Sequence, residues 1–371
     1  MAKGDGGAPA GTAVREAPEA AAGPTPMQVI RDPVRLRAAQ ARRLNRKLRI
    51  KGELLFPCLP SLLEEFVQRL AAVFSVLGKP FAQPEIDQLR QLMRAQLEKG
   101  FAKSSLSQLK VWWWSDDSKD LLVHYRMQVL ERSKSGQYEY WVKNRKPPLF
   151  GALPDARVME VAAGLPKGSR IADLGAGTGR NAIPLAAAGH RVDALDATQS
   201  FVEIIKKDAA EKGVAERIGV VQGDILTDEE SLAGGVYQLV LLAEVVPDLR
   251  RLADLRRVFW RANHLLAPRG ILLFNAFVAD DDYEVDQLTR ELSQVHWSWL
   301  LTRRELAQAA SGLPFELESD IEAHDYERAR QAQWPPTGWY SQWARGKDLF
   351  ALADHELPPV SLRWLTFRKS V

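Results

Sequence analysis

Ile171-Ala172-Asp173-Leu174-Gly175-Ala176-Gly177-Thr178-Gly179-Arg180-Asn181 is the stretch that decides the fold. A short apolar run ends in an acid, three glycines alternate behind it, and a helix-forming segment follows. Glycines at a strand-to-helix turn let the chain reverse sharply and let a ligand approach the backbone. Working outward, the same alternation continues after Lys146-Pro147-Pro148. Helices are expected at 153–164, 180–188, 198–212 and 250–266, and strands at 170–174, 191–195, 217–221, 237–243 and 270–277. Nearly continuous apolar strands such as YQLVLLA and GILLFNAF suit a parallel sheet buried on both faces. Late strands are expected at 315–319 and 361–368. The fold class is therefore α/β, a doubly wound sheet.

The details of the loop decide between ligands. The dinucleotide fingerprint G-x-G-x-x-G needs a glycine at 180, where this chain has Arg180. The phosphate loop G-x-x-x-x-G-K-[ST] is absent as well. Asp173 sits directly before the turn, where a carboxylate opposes an anionic pyrophosphate at the helix amides. A ligand with an amino group and a sulfonium is favoured by that charge. Two more acids fall in register. Asp196 ends the second strand 21 residues after Gly175, the spacing of a carboxylate that accepts from ribose hydroxyls. Asp224 follows the third strand at the carboxyl edge. An acid at a strand end also serves simply to cap the next helix; three of them in register with the glycine loop point to a ligand site.

These residues resemble the class I S-adenosylmethionine-dependent methyltransferases: DLGAGTGRN, Asp196, GDIL and the strand ending LLAEVV carry the likeness over roughly 150–330. The GTGRN continuation is nearest the group that includes the tellurite-resistance methyltransferases. The resemblance implies a Rossmann-like sheet of seven strands with S-adenosyl-L-methionine as cofactor. It implies that Asp173 and the backbone of Gly175, Gly177 and Gly179 line the methionine portion. Asp196 would hold the ribose, Asp224 and Ile225 would bracket the adenine, and Glu244 would close the pocket beside the sulfonium. Departures from the family pattern are the long N-terminal part and the Trp-rich C-terminal part.

The N-terminal part reads differently. Residues 1–27 are mostly Ala, Gly, Pro and Thr, too poor in large apolar groups to offset ordering entropy, and are expected to be a disordered tail. Asp32-Pro33 starts a helix. Nine Lys and Arg against one Asp lie between Arg31 and Lys51, fitting a polyanion-binding helix or a solvated amphipathic one. Residues 60–78 and 84–100 are amphipathic helices opened by Pro and closed by Gly. From Ser107 the apolar period shortens to two, predicting a hairpin turned by SDDSKD. A smaller, mostly helical accessory or lid domain, 28–149, thus precedes a methyltransferase domain, 150–371, with a Trp-rich C-terminal insertion. Residues 1–150 carry 25 Lys and Arg against 15 Asp and Glu, a balance of +10; the rest carry 25 against 32, a balance of −7.

Composition narrows the class. Hydrophobic residues at 46% and charged residues at 26% are ordinary globular values, and no apolar run reaches about 18 residues. With no secretory leader and a single cysteine, Cys58, a cytoplasmic protein without disulfides or a Cys-rich zinc site is expected. The six histidines show no H-x₃-H spacing with supporting carboxylates, so no metal site is expected.

Methyl transfer from a sulfonium is an in-line displacement whose leaving group departs neutral, so no acid is needed. Positioning supplies up to about 7–11 kcal/mol, and a base is required only where the nucleophile must lose a proton. The one candidate base is His296, in the segment His296-Trp297-Ser298-Trp299. Asn275, Phe277, Asp280 to Tyr283, His324 to Tyr326 and the run Trp334 to Trp343 are candidate substrate surface, although Trp stripes also pack insertions onto sheets. The expected activity is methylation of a small molecule. RNA or protein methylation with the basic part as docking module, and binding of the cofactor without turnover, are the alternatives. Acceptor, nucleophile atom and oligomeric state are not legible in the sequence.

Overall fold

The structure is a computed structural model that describes residues 27–45, 49–115, 123–228 and 231–370. The expected tail lies outside these residues except for Met27, and most of the SDDSKD turn lies outside them too. The chain divides into two compact units, residues 1–48 and Arg49–Val371. In the first, α1 (Pro33–Asn45) carries four Arg and no acid, and its first turn is capped by Asp32, whose Oδ1 accepts the Arg35 N–H at 2.8 Å.

The second unit begins with β1 (Lys51–Pro57), α2 (Leu63–Val76), α3 (Gln83–Lys103), β2 (Gln108–Ser115), β3 (Val123–Leu130) and α4 (Lys134–Asn144). β1, β2 and β3 form an antiparallel sheet with β2 in the middle. Its period-2 pattern sends Leu109, Val111 and Trp113 into a core with Leu70, Phe74, Met93 and Leu97 of α2 and α3. Trp112 and Trp114 consequently point to the other face. The hairpin is where the sequence predicts it, whereas β1 and α4 were not anticipated.

There follow α5 (Ala156–Ala163), β4 (Arg170–Leu174), α6 (Ala182–Ala187), β5 (Arg191–Asp196), α7 (Gln199–Glu211), β6 (Ile218–Gln222), β7 (Tyr237–Leu242), α8 (Leu252–Leu265) and β8 (Leu266–Ala279). The chain ends with α9 (Gln287–Val295), β9 (Leu300–Leu301), α10 (Arg303–Ala310), β10 (Phe315–Glu322), α11 (Ala323–Arg328), α12 (Tyr340–Ala344) and β11 (Val360–Lys369). Seven strands lie side by side in the order β10-β11-β8-β7-β4-β5-β6, and the two-residue β9 pairs with β8 as an eighth. β6, β5, β4, β7 and β8 are mutually parallel; β11 runs antiparallel between β8 and β10, so β10 again points the way of the parallel strands. The doubly wound α/β sheet is as expected.

Successive strand residues feed opposite cores. Ile171, Leu239, Leu241 and Leu273 join α5, α6 and α7 on one face; Ala172, Val240, Leu242 and Leu272 join α8 on the other. Both faces are covered, which is why these strands read as unbroken apolar runs. Contacts cross the Lys146-Pro147-Pro148 boundary: the Ser61 N–H donates to Glu291 at 2.9 Å, and Arg250 donates to the Phe101 carbonyl.

Candidate active site

β4 pairs with β5 on one side and β7 on the other, so the strand order reverses between β4 and β7. At such a reversal the following connections leave to opposite faces and open a crevice at the carboxyl ends of the strands. A cavity of about 420 Å³ lies there. Asp173, Gly175 and Gly177 form its floor after β4, Asp196 stands at the end of β5, Gly223 to Ile225 follow β6, and Ala243 and Glu244 follow β7. That volume is in the range of small-molecule sites.

The glycine loop is held by its neighbours. The N–H groups of Gly175 and Ala176 donate to the Leu195 carbonyl, and the Gly177 N–H donates to Asp196 Oδ2 at 2.8 Å. Asp196 Oδ1 accepts from the Thr198 N–H, also at 2.8 Å. Burial raises the Asp196 carboxyl above its ordinary range, and these backbone donors pull against that rise. Gly175 has φ +80°, and a Cβ there would stand 2.4 Å from a Val245 methyl, so no other residue fits.

Asp173 is buried, and its Oδ2 has no hydrogen-bond partner. Burial pushes its carboxyl up to about 7, against the opposing pull of the Arg180 charge. The unfolded chain would titrate near 3.8. Between these values only the native state keeps the proton, so Asp173 favours folding at low pH and that contribution is lost as pH rises through 7. Asp173→Asn should flatten the fall in thermal stability between about pH 4 and 7.5 in the ligand-free protein. An unchanged pH profile would mean that Asp173 is not the group responsible.

Behind the loop lies a charge network. Arg180, its side chain almost wholly enclosed, donates to Asp155 at 2.6 Å and to Glu244 at 2.8 Å. Asn181 donates to Asp155 at 2.9 Å and accepts the Asp155 N–H. Burial alone would lower the Arg180 pKa, but its two carboxylates outweigh that and hold it charged. Burial lifts the Glu244 carboxyl to about 7 while Arg180 opposes the rise. Glu244 has φ 60°, and its N–H donates to Asn275 Oδ1 at 2.6 Å. A glutamate in the left-handed region is held there by its surroundings.

The remaining wall comes from α4 and the segment after it: Lys134, Ser135, Tyr138 and Phe150. The Tyr138 hydroxyl donates to Asp248 at 2.6 Å, and Lys134 donates to the Asp248 carbonyl at 2.7 Å. On the opposite rim Ser200 at the start of α7 donates to Glu139. Tyr138 also packs against Phe201 and Trp297, with centroids 5.5 and 5.2 Å away.

The structure brings together Asp173, Gly175, Gly177, Asp196, Asp224, Ile225 and Glu244 of the residues expected from sequence. Gly179 is not on the wall; at φ +80°, with Ile183 and Ile205 each 3.1 Å from a Cβ built there, it is a packing position. His296 is corrected. It caps the end of α9, is exposed, and lies outside the cavity, because α9 packs its apolar side on the N-terminal core. Trp112 to Trp114 do not reach the cavity either. The C-terminal tryptophans pack onto the sheet: Trp343 lies 5.0 Å from Phe277, and Trp364 is fully buried. Sequence reasoning missed Lys134, Tyr138, Phe150, Asp248 and Asp155, as well as the pairing of Arg180 with Asp155 and Glu244. The one available signal was the helix cap Ser133, whose Oγ accepts the Gly136 N–H, followed by aromatics at 138 and 141.

Among the described residues no helix is long and apolar enough to cross a membrane. One cluster of metal-ligand types, Glu322, His324 and Asp325, lies elsewhere. Glu322 there caps α11, and Arg345 donates to His324 at 3.2 Å.

Residues 171–270 match a family model described as a methyltransferase domain. Over 94 residues the chain is 34% identical to a probable cobalt-precorrin-6B C(15)-methyltransferase (decarboxylating) of Pyrobaculum aerophilum, covering 22% of this chain and 48% of that protein. The chain thus spans about half the length of that curated relative. Among solved structures, a geranyl diphosphate C-methyltransferase from Streptomyces coelicolor A3(2) is similar at a TM-score of 0.47 and 13% identity, over 65% of this chain and 100% of that one. The (4+2)-cyclase SpnF is similar at a TM-score of 0.44 and 15% identity, over 65% and 97%. Over residues 171–270 the chain carries the methyltransferase-domain pattern, and the ends of β4, β5, β6 and β7 within that span supply the cavity floor.

Proposed function

We propose that the chain is an S-adenosylmethionine-dependent methyltransferase acting on a small-molecule acceptor. The carrying observation is the buried, unpartnered Oδ2 of Asp173 beside a glycine loop at the sheet's reversal point. A buried acceptor of this kind suits a cationic donor such as an amino group. Asp196 keeps lone pairs for ribose hydroxyls beyond those taken by Gly177 and Thr198. Ile225, half-buried, and Asp224 offer an apolar and a polar side to an adenine. Within the class, the GTGRN continuation supports a place nearest the tellurite-resistance methyltransferases. When bound, the cofactor supplies an electrophilic methyl group on a sulfonium.

The chain's own residues hold, orient and exclude water. α4 is tied to Asp248 on one rim and Ser200 on the other, and we read residues 49–149 as a lid on a methyltransferase domain of 150–371. This part works through α4 rather than through Trp112 to Trp114. A cavity of about 420 Å³ walled on one side by α4 favours a small acceptor over a polymer. So does its charge, with Asp173, Asp196, Asp224, Glu244 and Asp248 on the wall against Lys134 and Arg180. We place the protein in the cytoplasm.

Melting curves test the reading. S-adenosylmethionine and S-adenosylhomocysteine should raise the melting temperature, while NAD and ATP at equal concentration should not. A ligand at 100 times its Kd adds about 2.7 kcal/mol. Labelled methyl donor with fractionated cell extract should then place label in the small-molecule fraction. A shift with NAD alone would overturn the cofactor, and label confined to RNA or protein would overturn the acceptor class.

A further inference from the structure

The open face of the β1-β2-β3 sheet has no part in the cavity, and its chemistry is distinctive. β2 alternates, so Leu109, Val111 and Trp113 enter the core while Lys110, Trp112 and Trp114 stand on the opposite face. The register sets Lys51 and His124 beside Trp114, and Glu53 and Arg126 beside Trp112. The His124 ring stacks on Trp114 at 5.6 Å and 26°. The Arg126 guanidinium lies 5.7 Å from the Trp114 ring, and Lys110 lies 5.9 Å from that of Trp112. Lys51 and Arg126 are exposed, and the two tryptophans are half-buried. The single acid of this group, Glu53, is paired with Lys110 at 2.6 Å.

We propose that this face binds single-stranded nucleic acid, with bases stacking on Trp112 and Trp114 and phosphates meeting Lys51, Lys110 and Arg126. Flat rings two residues apart on a central strand make a platform that any base can stack on, and cations at its edges suit a polyanion. Charge complementarity selects this occupant. Among the described residues of the face, three cations, Lys51, Lys110 and Arg126, stand against one acid, Glu53. RNA and DNA single strands share this chemistry, and the test separates them. The inference goes beyond methyl transfer and stands independently of it.

The test is fluorescence anisotropy of the full chain with labelled U20 and T20 oligonucleotides. Binding on the order of micromolar is expected, falling between about 50 and 200 mM salt with a log–log slope of about −2 for three phosphate contacts. Trp112→Leu and Trp114→Leu keep apolar bulk and should each weaken binding about 5- to 150-fold. Arg126→Gln, at an exposed position, should reduce the salt slope by about 1. Unchanged melting temperature and an unchanged S-adenosylhomocysteine shift would show that the variants fold. U20 binding far more tightly than T20 would mean that the 2′-hydroxyl is read; equal binding would mean stacking alone. No binding by the parent chain, or binding indifferent to the tryptophans, overturns the proposal. Self-association lost in the tryptophan variants without oligonucleotide binding overturns it as well, and identifies the face as an interface between copies.

Discussion

Arg180→Met is expected to lower the unfolding free energy by about 3–5 kcal/mol, because it leaves buried carboxylates without their counter-charge. Arg180 donates to both Asp155 and Glu244, and the Asp155 and Arg180 side chains are almost wholly enclosed. Asp155 is enclosed, whereas Glu244 keeps an edge on the cavity. In the variant Glu244, already raised by burial, would lose the opposing pull of Arg180 and hold its proton more firmly in the native state than in the unfolded chain. Stability would then be greatest at low pH and fall as pH rises through the native value. Urea unfolding at pH 5.5 and pH 8 would show the deficit shrinking at the lower pH. Pairing Arg180→Met with Glu244→Gln should recover part of the loss. A deficit below about 1 kcal/mol at pH 8 would mean that the network is not the strut described above.

Asp196→Ala should weaken S-adenosylhomocysteine binding about 10- to 150-fold, the equivalent of about 1.5–3 kcal/mol for a charged acceptor. The carboxylate does two jobs. It ties the Gly177 N–H and the Thr198 N–H together, and under the proposed function it also accepts from ribose hydroxyls. Asp196→Asn, which retains one carbonyl acceptor, should fall between the two. Calorimetry on the folded variants decides the matter; unchanged affinity in Asp196→Ala would remove Asp196 from the ligand site.

The sheet was legible because burying both strand faces demands uninterrupted apolar runs, and a reversal of strand order demands glycines where the backbone turns. Asp173, Asp196 and Asp224 were legible for a related reason: each lies at or just past the carboxyl end of a strand, so its position along the sheet edge is set by local sequence. Period-2 alternation from Ser107 likewise foretold the hairpin. Tertiary structure alone decided the rest. Arg180 reads in the sequence as a missing glycine, and only the return of Asp155 and Glu244 to the same point makes it a buried strut. Tyr138 lies 110 residues from Asp248, and no local signal reports a hydrogen bond across that distance. His296 has acidic and aromatic neighbours in sequence, yet α9 turns toward the N-terminal core and leaves it in solvent. Local pattern reports which face of an element is buried, while the partner it is buried against is set by how the chain closes on itself.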